Sequence, residues 1–268
     1  MTQGEPFRLP VTGGVLSGLD RAGGETALVL LHGFSFDKAM WSDQIDGLNE
    51  VYRVVAYDLR GFGQSGRPRP GHSHLSDLSQ LVAGLQLDQV VLVGLSLGAN
   101  VALAYALEHA ERVRALVLAS PGLPGATFGS PRPPDEAADV ARRHGITAAK
   151  EYWKNHDLFA PARASKTAEA ALASMIERFP AHQWTDKPQG PAVPSVMGRI
   201  EDLTVPTLIL SGAMDLPIYE SAARYLEATI PSARREVSPT AGHIVNLEDP
   251  KFFNAAIDRF VRNLPPTT

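Results

Sequence analysis

Short runs of consecutive apolar residues recur along the chain, and stretches with helical spacing of apolar positions separate them. Bounded apolar runs rich in β-branched residues are typical of strands that are buried on both faces of a parallel sheet. A weaker alternating pattern over residues 7–20, with a turn at Thr12-Gly13-Gly14, predicts a β-hairpin. The buried-strand runs cover residues 26–31, 52–57, the run beginning at Val90, 113–119, 205–211 and a short stretch near 234–237.

Helical patterns lie between these runs. They cover residues 38–48, about 75–85, the Ala-rich stretch after Gly98, 135–143, 147–155, 166–179, 218–229 and about 249–261. Strands that alternate with helices predict an α/β protein with a mostly parallel, doubly wound sheet of about eight strands. Such sheets bind ligands at the carboxyl ends of their strands, so residues that directly follow strands are the first candidates for a site.

The alternation stops at residue 120. Pro and Gly are frequent over 120–130 and again over 186–199, and the residues between carry helical patterns without a convincing strand. We therefore expect a core formed by residues 1–120 and 200–268, interrupted by a helical cap over 121–199. Because this insertion follows the strand next to the Val90 run, it should emerge at the carboxyl ends of the strands.

The sequence Gly94-Leu95-Ser96-Leu97-Gly98 lies where an apolar strand passes directly into an Ala-rich helix. Such a corner holds its central residue in a strained left-handed conformation, and its neighbours must be small because strand and helix approach closely. Gly94 and Gly98 satisfy that demand. The corner would push the Ser96 hydroxyl out beside a helix N-terminus.

A serine nucleophile needs a base, and the base needs an acceptor on its other ring nitrogen. Imidazole suits the base because its unperturbed pKa is about 6.5. We select His243, which follows a short strand and Ala241-Gly242, and we select Asp215 as its acceptor. Asp58 and Glu201/Asp202 are the alternatives for the acid, but the neighbours of Asp58 suggest an anchor for its loop. His32 is interpreted as structural, and the other six histidines as solvated surface.

These segments together resemble the α/β-hydrolase fold superfamily over nearly the full chain. The likeness rests on five segments in order: 32–34, 57–65, 94–98, 212–215 and 241–243. It implies the chain order nucleophile, acid, histidine, which Ser96, Asp215 and His243 follow. It also implies an oxyanion hole made by the backbone N–H groups of Phe34 and Leu97.

The resemblance favours the serine-nucleophile carboxylesterases, enol-lactonases and perhydrolases of this superfamily. Ser at position 96 departs from the members that use Asp as nucleophile, and Ile244 departs from the Trp that C–C bond hydrolases usually carry there. We therefore expect hydrolysis of a carboxylic ester or lactone through an acyl-serine intermediate. A small-ligand binding protein or receptor that retains the triad, and a lyase or C–C hydrolase, remain the alternatives, since fold does not fix function.

Composition narrows the range of partners. The net charge of −4 gives no indication of nucleic-acid or membrane binding, and there is no cysteine for a thiolate metal site or disulfide. We expect no metal and no cofactor, because neither a ligand cluster nor a dinucleotide fingerprint follows a strand. With no secretory leader pattern and no run of about 18 apolar residues, a cytoplasmic protein is expected.

The predicted cap supplies large apolar residues at Trp153, Phe159, Phe179, Trp184 and Met197. Most of them should pack within the cap and onto the core. A pocket for an organic acyl group nevertheless needs apolar walls, and we expect at least one of Trp153, Phe159 and Met197 to line it. The substrate should then be a mostly apolar small-molecule ester or lactone.

Overall fold

A single sheet of eight strands forms the centre of the computed structural model, which describes residues 4–127, 131–186 and 193–265. The strand order is β1-β2-β4-β3-β5-β6-β7-β8; β1 and β2 pair antiparallel, as do β2 and β4, and every other pairing is parallel. The strands are β1 Glu5–Val11, β2 Gly14–Arg21, β3 Ala27–Leu31, β4 Arg53–Tyr57, β5 Val90–Leu95, β6 Val113–Ala119, β7 Thr207–Gly212 and β8 Ala233–Ser238. The predicted α/β sheet of about eight strands is confirmed.

The strand order reverses at β3 and β5. From β3 the chain proceeds outward to β4, whereas from β5 it proceeds in the other direction to β6. Leu31 at the end of β3 pairs with Gly94 near the end of β5. Their following loops therefore leave the sheet side by side, at the kind of switch point where open α/β sheets bind ligands.

The sheet is covered by helices, as parallel strands buried on both faces require. Every residue of β3, β5 and β7 is buried, which explains their unbroken apolar runs, whereas β8 at the edge is largely half-exposed. The helices are α1 Ser42–Leu48, α2 His74–Gly84, α3 Leu97–Glu108, α4 Pro133–His144, α5 Ile146–Asn155, α6 Ala160–Arg163, α7 Lys166–Arg178, α8 His182–Thr185, α9 Pro217–Thr229, α10 Val245–Glu248 and α11 Pro250–Arg262. Short 3₁₀ helices cover Lys38–Trp41, Ala110–Arg112, Asp157–Phe159 and Ile200–Asp202.

The helix predicted over 38–48 is divided in two. A 3₁₀ turn over Lys38–Trp41 precedes α1. The side chain of Asp37 accepts a hydrogen bond from Ala39 N–H, and Asp58 Oδ1 accepts one from Lys38 N–H at 2.7 Å. These carboxylates hold the first turn against the sheet, and the α-helix begins only after it.

Between β6 and β7 the described residues form helices α4 to α8 and two 3₁₀ turns. Residues 128–130 and 187–192 of the predicted cap lie outside the described residues. The division into a core of 1–120 and 200–268 and a cap of 121–199 stays a prediction. Within the described residues, no helix combines the length and apolarity that crossing a membrane requires.

Candidate active site

Ser96 lies at the corner between β5 and α3 with φ 53° and ψ −108°. The positive φ agrees with the strained corner expected from the sequence, but ψ lies outside the left-handed helical region. This conformation corresponds to the first central position of a type II′ turn, which is normally occupied by glycine. Ser96 N–H donates to Ala119 O at 2.9 Å, and Ser96 O accepts from Asn100 N–H at 3.0 Å. Strand β6 and helix α3 thus hold the corner from both sides.

Gly94 and Gly98 are the residues that allow this corner. A Cβ atom at Gly94 would lie 2.4 Å from the carbonyl of Gly98, and a Cβ at Gly98 would lie 2.0 Å from Leu31 O. Both obstacles are backbone atoms, which cannot rotate away as a side chain could. The two glycines therefore bring the start of α3 directly against the ends of β3 and β5.

His243 and Asp215 form a buried pair. Nδ1 of His243 lies 3.0 Å from Oδ2 and 3.1 Å from Oδ1 of Asp215, and each side chain is only 2% exposed. Asp215 directly follows the turn after β7, and its Oδ1 also accepts from Leu216 N–H at 2.7 Å. A carboxylate at Nδ1 fixes the tautomer that leaves Nε2 free to accept a proton.

The loop that carries His243 is held by a second carboxyl. Glu248, at the end of α10, accepts a hydrogen bond from the N–H of Gly242. Burial raises the pKa of Glu248 to about 7, with Asp215 adding to the rise and His243 opposing it. Glu248 was not predictable from the sequence, because its only signal there is an acidic residue five positions after His243.

Tyr219 is a further neighbour of the pair that the sequence analysis missed. Its ring lies 4.1 Å from the His243 ring, centroid to centroid, in a tilted arrangement. Burial, followed by the charge of Asp215, raises the pKa of Tyr219 above its ordinary range. The residue lies one helical turn after Asp215, in the first turn of α9, so proximity in sequence was the available signal.

Phe34 and Leu97 follow β3 and β5, where the two loops leave the sheet together. Leu97 is the first residue of α3, so its N–H has no partner within the helix. In the described part of the chain, neither this N–H nor that of Phe34 donates to an acceptor. Free backbone donors beside Ser96, at a helix N-terminus, are suited to binding a developing oxyanion.

One narrow cavity brings several of the predicted residues together. It is too narrow to admit more than about one water molecule, and none of the described residues that line it is Lys, Arg, Asp or Glu. Its lining consists of Phe34, Phe36, Ser96, Pro134, Trp153, Leu158, Phe159, Tyr219 and His243. Ser96 and His243 thus meet in one largely aromatic cavity, and Trp153 and Phe159 reach it from the segment between β6 and β7.

Of the three residues from which at least one was expected to line the cavity, Trp153 and Phe159 do so and Met197 does not. It is 39% exposed and lies in the turn before the 3₁₀ helix Ile200–Asp202. Two residues later, Arg199 donates to Leu107 O at 3.1 Å. Leu107 is at the C-terminal end of α3, whereas Ser96 is at its N-terminal end. The turn that carries Met197 is therefore held at the end of α3 opposite to Ser96.

The two residues interpreted as structural, Asp58 and His32, are fully buried and bonded elsewhere. Asp58 accepts from Lys38 N–H, from Lys38 Nζ at 2.8 Å and from Gln64 N–H at 2.9 Å. Nδ1 of His32 lies 2.8 Å from Gly33 O, and its Nε2 accepts from Leu59 N–H at 2.9 Å. Burial lowers the pKa of His32. The anchor expected for Asp58 is present, with Lys38 as the partner.

Among the described residues, one group could offer several ligand atoms to a metal ion. Atoms of His72, His74 and Asp77 lie within 4.8 Å of one another. The carboxylate of Asp77 already forms an ion pair with Arg60, whose Nε and Nη2 donate to its two oxygens at 2.9 and 2.5 Å. A cation would therefore meet the guanidinium charge, and the arrangement is better described as a buried ion pair.

Comparison with known proteins gives one consistent family. The sequence model of a family described as alpha/beta hydrolase fold matches residues 26–250. A relative from Bacillus subtilis (strain 168) is 31% identical, over 89% of this chain and 91% of its own, and has the provisional name 2-succinyl-6-hydroxy-2,4-cyclohexadiene-1-carboxylate synthase.

Solved structures that superpose on the chain include hydrolytic enzymes. A thermophilic esterase from Thermogutta terrifontis superposes with a TM-score of 0.83 at 27% identity, covering 97% of this chain and 99% of its own. Est816, described as an N-acyl homoserine lactone degrading enzyme, superposes with a TM-score of 0.82 at 26% identity, covering 95% of this chain and all of its own (100%).

Proposed function

Because the chain belongs to the alpha/beta hydrolase fold family, we propose that it is a serine hydrolase that cleaves a carboxylic ester or lactone through an acyl-Ser96 intermediate. One observation carries the proposal. Ser96, at a positive-φ corner, shares a cavity with His243, whose Nδ1 is bonded to the buried carboxylate of Asp215. The esterase and lactone-degrading structures that superpose on the chain support the same class of reaction.

In acylation, Ser96 Oγ attacks the carbonyl carbon while Nε2 of His243 takes its proton. Asp215 stabilises the imidazolium through Nδ1–H, and the N–H groups of Phe34 and Leu97 donate to the oxyanion. The C–O bond to the alcohol then breaks, and His243 returns its proton to the departing oxygen. The acyl group remains on Ser96.

In deacylation, water attacks the acyl carbon while His243 again accepts a proton. The bond to Ser96 Oγ breaks, the proton returns to that oxygen, and the carboxylic acid leaves. With a lactone, the alcohol and the acid are two ends of one product molecule. Every proton in the cycle is carried by His243, so no further group has to be supplied.

The lining of the cavity favours a mostly apolar acyl group. Its lining residues are mostly aromatic and aliphatic, with few polar groups, as is usual for sites that bury organic ligands. We propose that residues 121–199 act as a cap, since Pro134, Trp153 and Phe159 from this segment line the cavity. The Bacillus subtilis relative is named for a carboxylate product; none of the described lining residues here is a cation that would bind one.

A panel of 4-nitrophenyl esters and simple lactones, assayed under multiple turnover, tests the proposal. We expect hydrolysis that continues over many turnovers, and we expect Ser96→Ala to lower kcat by about 10⁴- to 10⁶-fold. Binding of a substrate without turnover would indicate a binding protein. A Ser96→Ala variant that keeps a tenth of the wild-type rate would contradict the acyl-serine mechanism.

A further inference from the structure

We infer that Trp153 and Ser35 are positioning residues for the Phe34 loop, defined here as residues 33–37, and that they couple closure of the helices after β6 to assembly of the oxyanion site. The inference rests on the proposed function, because it concerns how one of the proposed oxyanion donors is held. Two hydrogen bonds carry it: one joins α5 to the Phe34 loop across 118 positions of the chain, and the other lies within the loop.

The hydrogen bonds share the hydroxyl of Ser35. Nε1–H of Trp153, on α5, donates to Ser35 Oγ at 2.6 Å, and Ser35 Oγ–H donates to Phe34 O at 2.5 Å. Trp153 is 1% exposed and Ser35 is fully buried. Buried hydrogen bonds of this kind are costly to break, because the groups left unpaired have no water to replace the partner.

The backbone at Ser35 is strained. Its φ is 65°, in the region that glycine adopts most readily. A serine at this position is strained where glycine would not be, but its hydroxyl forms hydrogen bonds with both Phe34 O and Trp153 Nε1–H. Because the hydroxyl accepts the indole proton and donates its own to Phe34 O, the peptide group between Phe34 and Ser35 is tied to α5. The Phe34 N–H belongs to the preceding peptide group, so α5 supports it through the backbone of Phe34.

Three other contacts join the same loop to the same set of helices. Arg178, at the end of α7, forms an ion pair with Asp37 at 2.8 Å. The Phe34 ring packs edge-on against Phe179 at 5.4 Å and against Trp153 at 6.2 Å. The Phe34 loop therefore has one face on the sheet and the other on helices α5 and α7.

The narrowness of the cavity gives these contacts a consequence. The cavity in this conformation is narrower than an ester, and Trp153 on α5 forms part of its wall. In the inferred cycle, α5 moves away from the Phe34 loop to admit a substrate. Separation breaks the Trp153–Ser35 hydrogen bond, and closure restores it. The Phe34 loop thus gains this support only when the helices have closed over the bound substrate.

Trp153→Phe removes the indole N–H and keeps an aromatic ring, while Ser35→Ala removes the hydroxyl. Trp184→Phe is the matched control: Trp184 is also buried in the aromatic group around Phe34, but its Nε1 has no hydrogen-bond partner in the described part of the chain. Ser35→Gly is a second variant at that position that avoids the strain of Ala at positive φ.

Kinetics on 4-nitrophenyl acetate test the inference, since its small acyl group depends least on the cavity walls. We expect Trp153→Phe and Ser35→Ala each to lower kcat by about 10- to 100-fold with little change in KM, because a misplaced donor acts on the transition state. Trp184→Phe should keep kcat within about twofold. In the Ser35→Ala background, Trp153→Phe should cause no further loss of kcat, since both act through one hydrogen bond.

Three results would overturn the inference: additive losses in the double variant, an equal loss in Trp184→Phe, or wild-type kcat in Trp153→Phe and Ser35→Ala. If Ser35→Ala does not fold, the single and double variants are made again with Ser35→Gly in its place, and the same outcomes apply. An inactive wild-type protein would refute the proposed function instead, so the two failures are distinguishable.

Discussion

At the residue scale, the buried pair of His243 and Asp215 gives the most specific expectation. Asp215→Asn would keep a side chain of the same shape beside Nδ1 but would donate to that nitrogen from its amide, favouring the wrong tautomer. We expect kcat to fall by about 10⁴-fold on an activated ester, with the protein folded.

The control for that change is Asp58→Asn. Like Asp215, Asp58 follows a strand and has a buried carboxylate. Its bonds go to Lys38 and Gln64, not to the imidazole of His243. It should lower the free energy of unfolding and affect kcat much less. If Asp58→Asn were the more damaging to kcat with both variants folded, the acid would have to be reassigned.

Glu248 predicts a dependence of stability on pH. Its pKa is raised to about 7 by burial, so the folded protein favours the protonated carboxyl. The stabilisation is complete below the ordinary Glu pKa of about 4.5 and is lost as pH rises through about 7. Glu248→Gln keeps an oxygen to accept from Gly242 N–H but cannot ionise.

Chemical unfolding at about pH 5 and about pH 8 tests this effect. Between these values the free energy of unfolding of the wild type should fall relative to that of Glu248→Gln by an amount on the order of 3 kcal/mol. Parallel stability curves for the two proteins would show that Glu248 does not titrate in this range.

The residues of the corner were predictable from the sequence because steric demands are local. Gly94, Ser96 and Gly98 stand at fixed spacing between a strand pattern and a helix pattern, and their roles follow from backbone clashes. Ser35 was not predictable in this way, because it acts through a contact with α5, which is distant in sequence. For Tyr219 the sequence offered only its proximity to Asp215, and the ring contact with His243 depends on the fold.

At the element scale, the outer wall of the cavity should control acyl preference. Phe159, in the 3₁₀ turn Asp157–Phe159, is buried and lines the cavity. Phe159→Leu would open space there, so kcat/KM for a butyrate or hexanoate ester relative to acetate should rise by about tenfold, the scale set by one or two methylene groups.

Met197→Ala provides the comparison, because Met197 is exposed and lies outside the cavity. It should leave the ratio of activities on long and short acyl esters unchanged. A shift in that ratio equal to the shift in Phe159→Leu would mean that the wall has been assigned to the wrong residues.

Element boundaries agree with the sequence patterns to within a few residues where the pattern is strong. The buried strands and the helices α2, α5, α7, α9 and α11 belong to this group. The exception at residues 38–41 has a physical cause, since side chains of Asp37 and Asp58 bind the first N–H groups of that turn. Helical periodicity does not predict such contacts, because the fold brings Asp58 next to a segment that is distant in sequence.

At the scale of the whole molecule, the sheet order explains why distant segments form one site. Phe34, Ser96, Asp215 and His243 follow β3, β5, β7 and β8, and these strands run parallel. The alternation of strands and helices predicted that residues following parallel strands would lie at one edge of the sheet, and the family resemblance supplied Phe34 and the chain order of the triad. The position of Met197 was not predictable. It depends on the contact of the following turn with the C-terminal end of α3, where Arg199 donates to Leu107 O.

Labelling with a fluorophosphonate, followed by mass spectrometry, is the most direct test of the central claim that Ser96 is an activated nucleophile. The reagent phosphonylates a serine only where a base and an oxyanion site assist the attack. We expect one adduct per chain, on the peptide that contains Ser96. This adduct should be absent in Ser96→Ala and should form much more slowly in His243→Ala. An unlabelled wild type, or equal labelling of the Ser96→Ala variant, would contradict it.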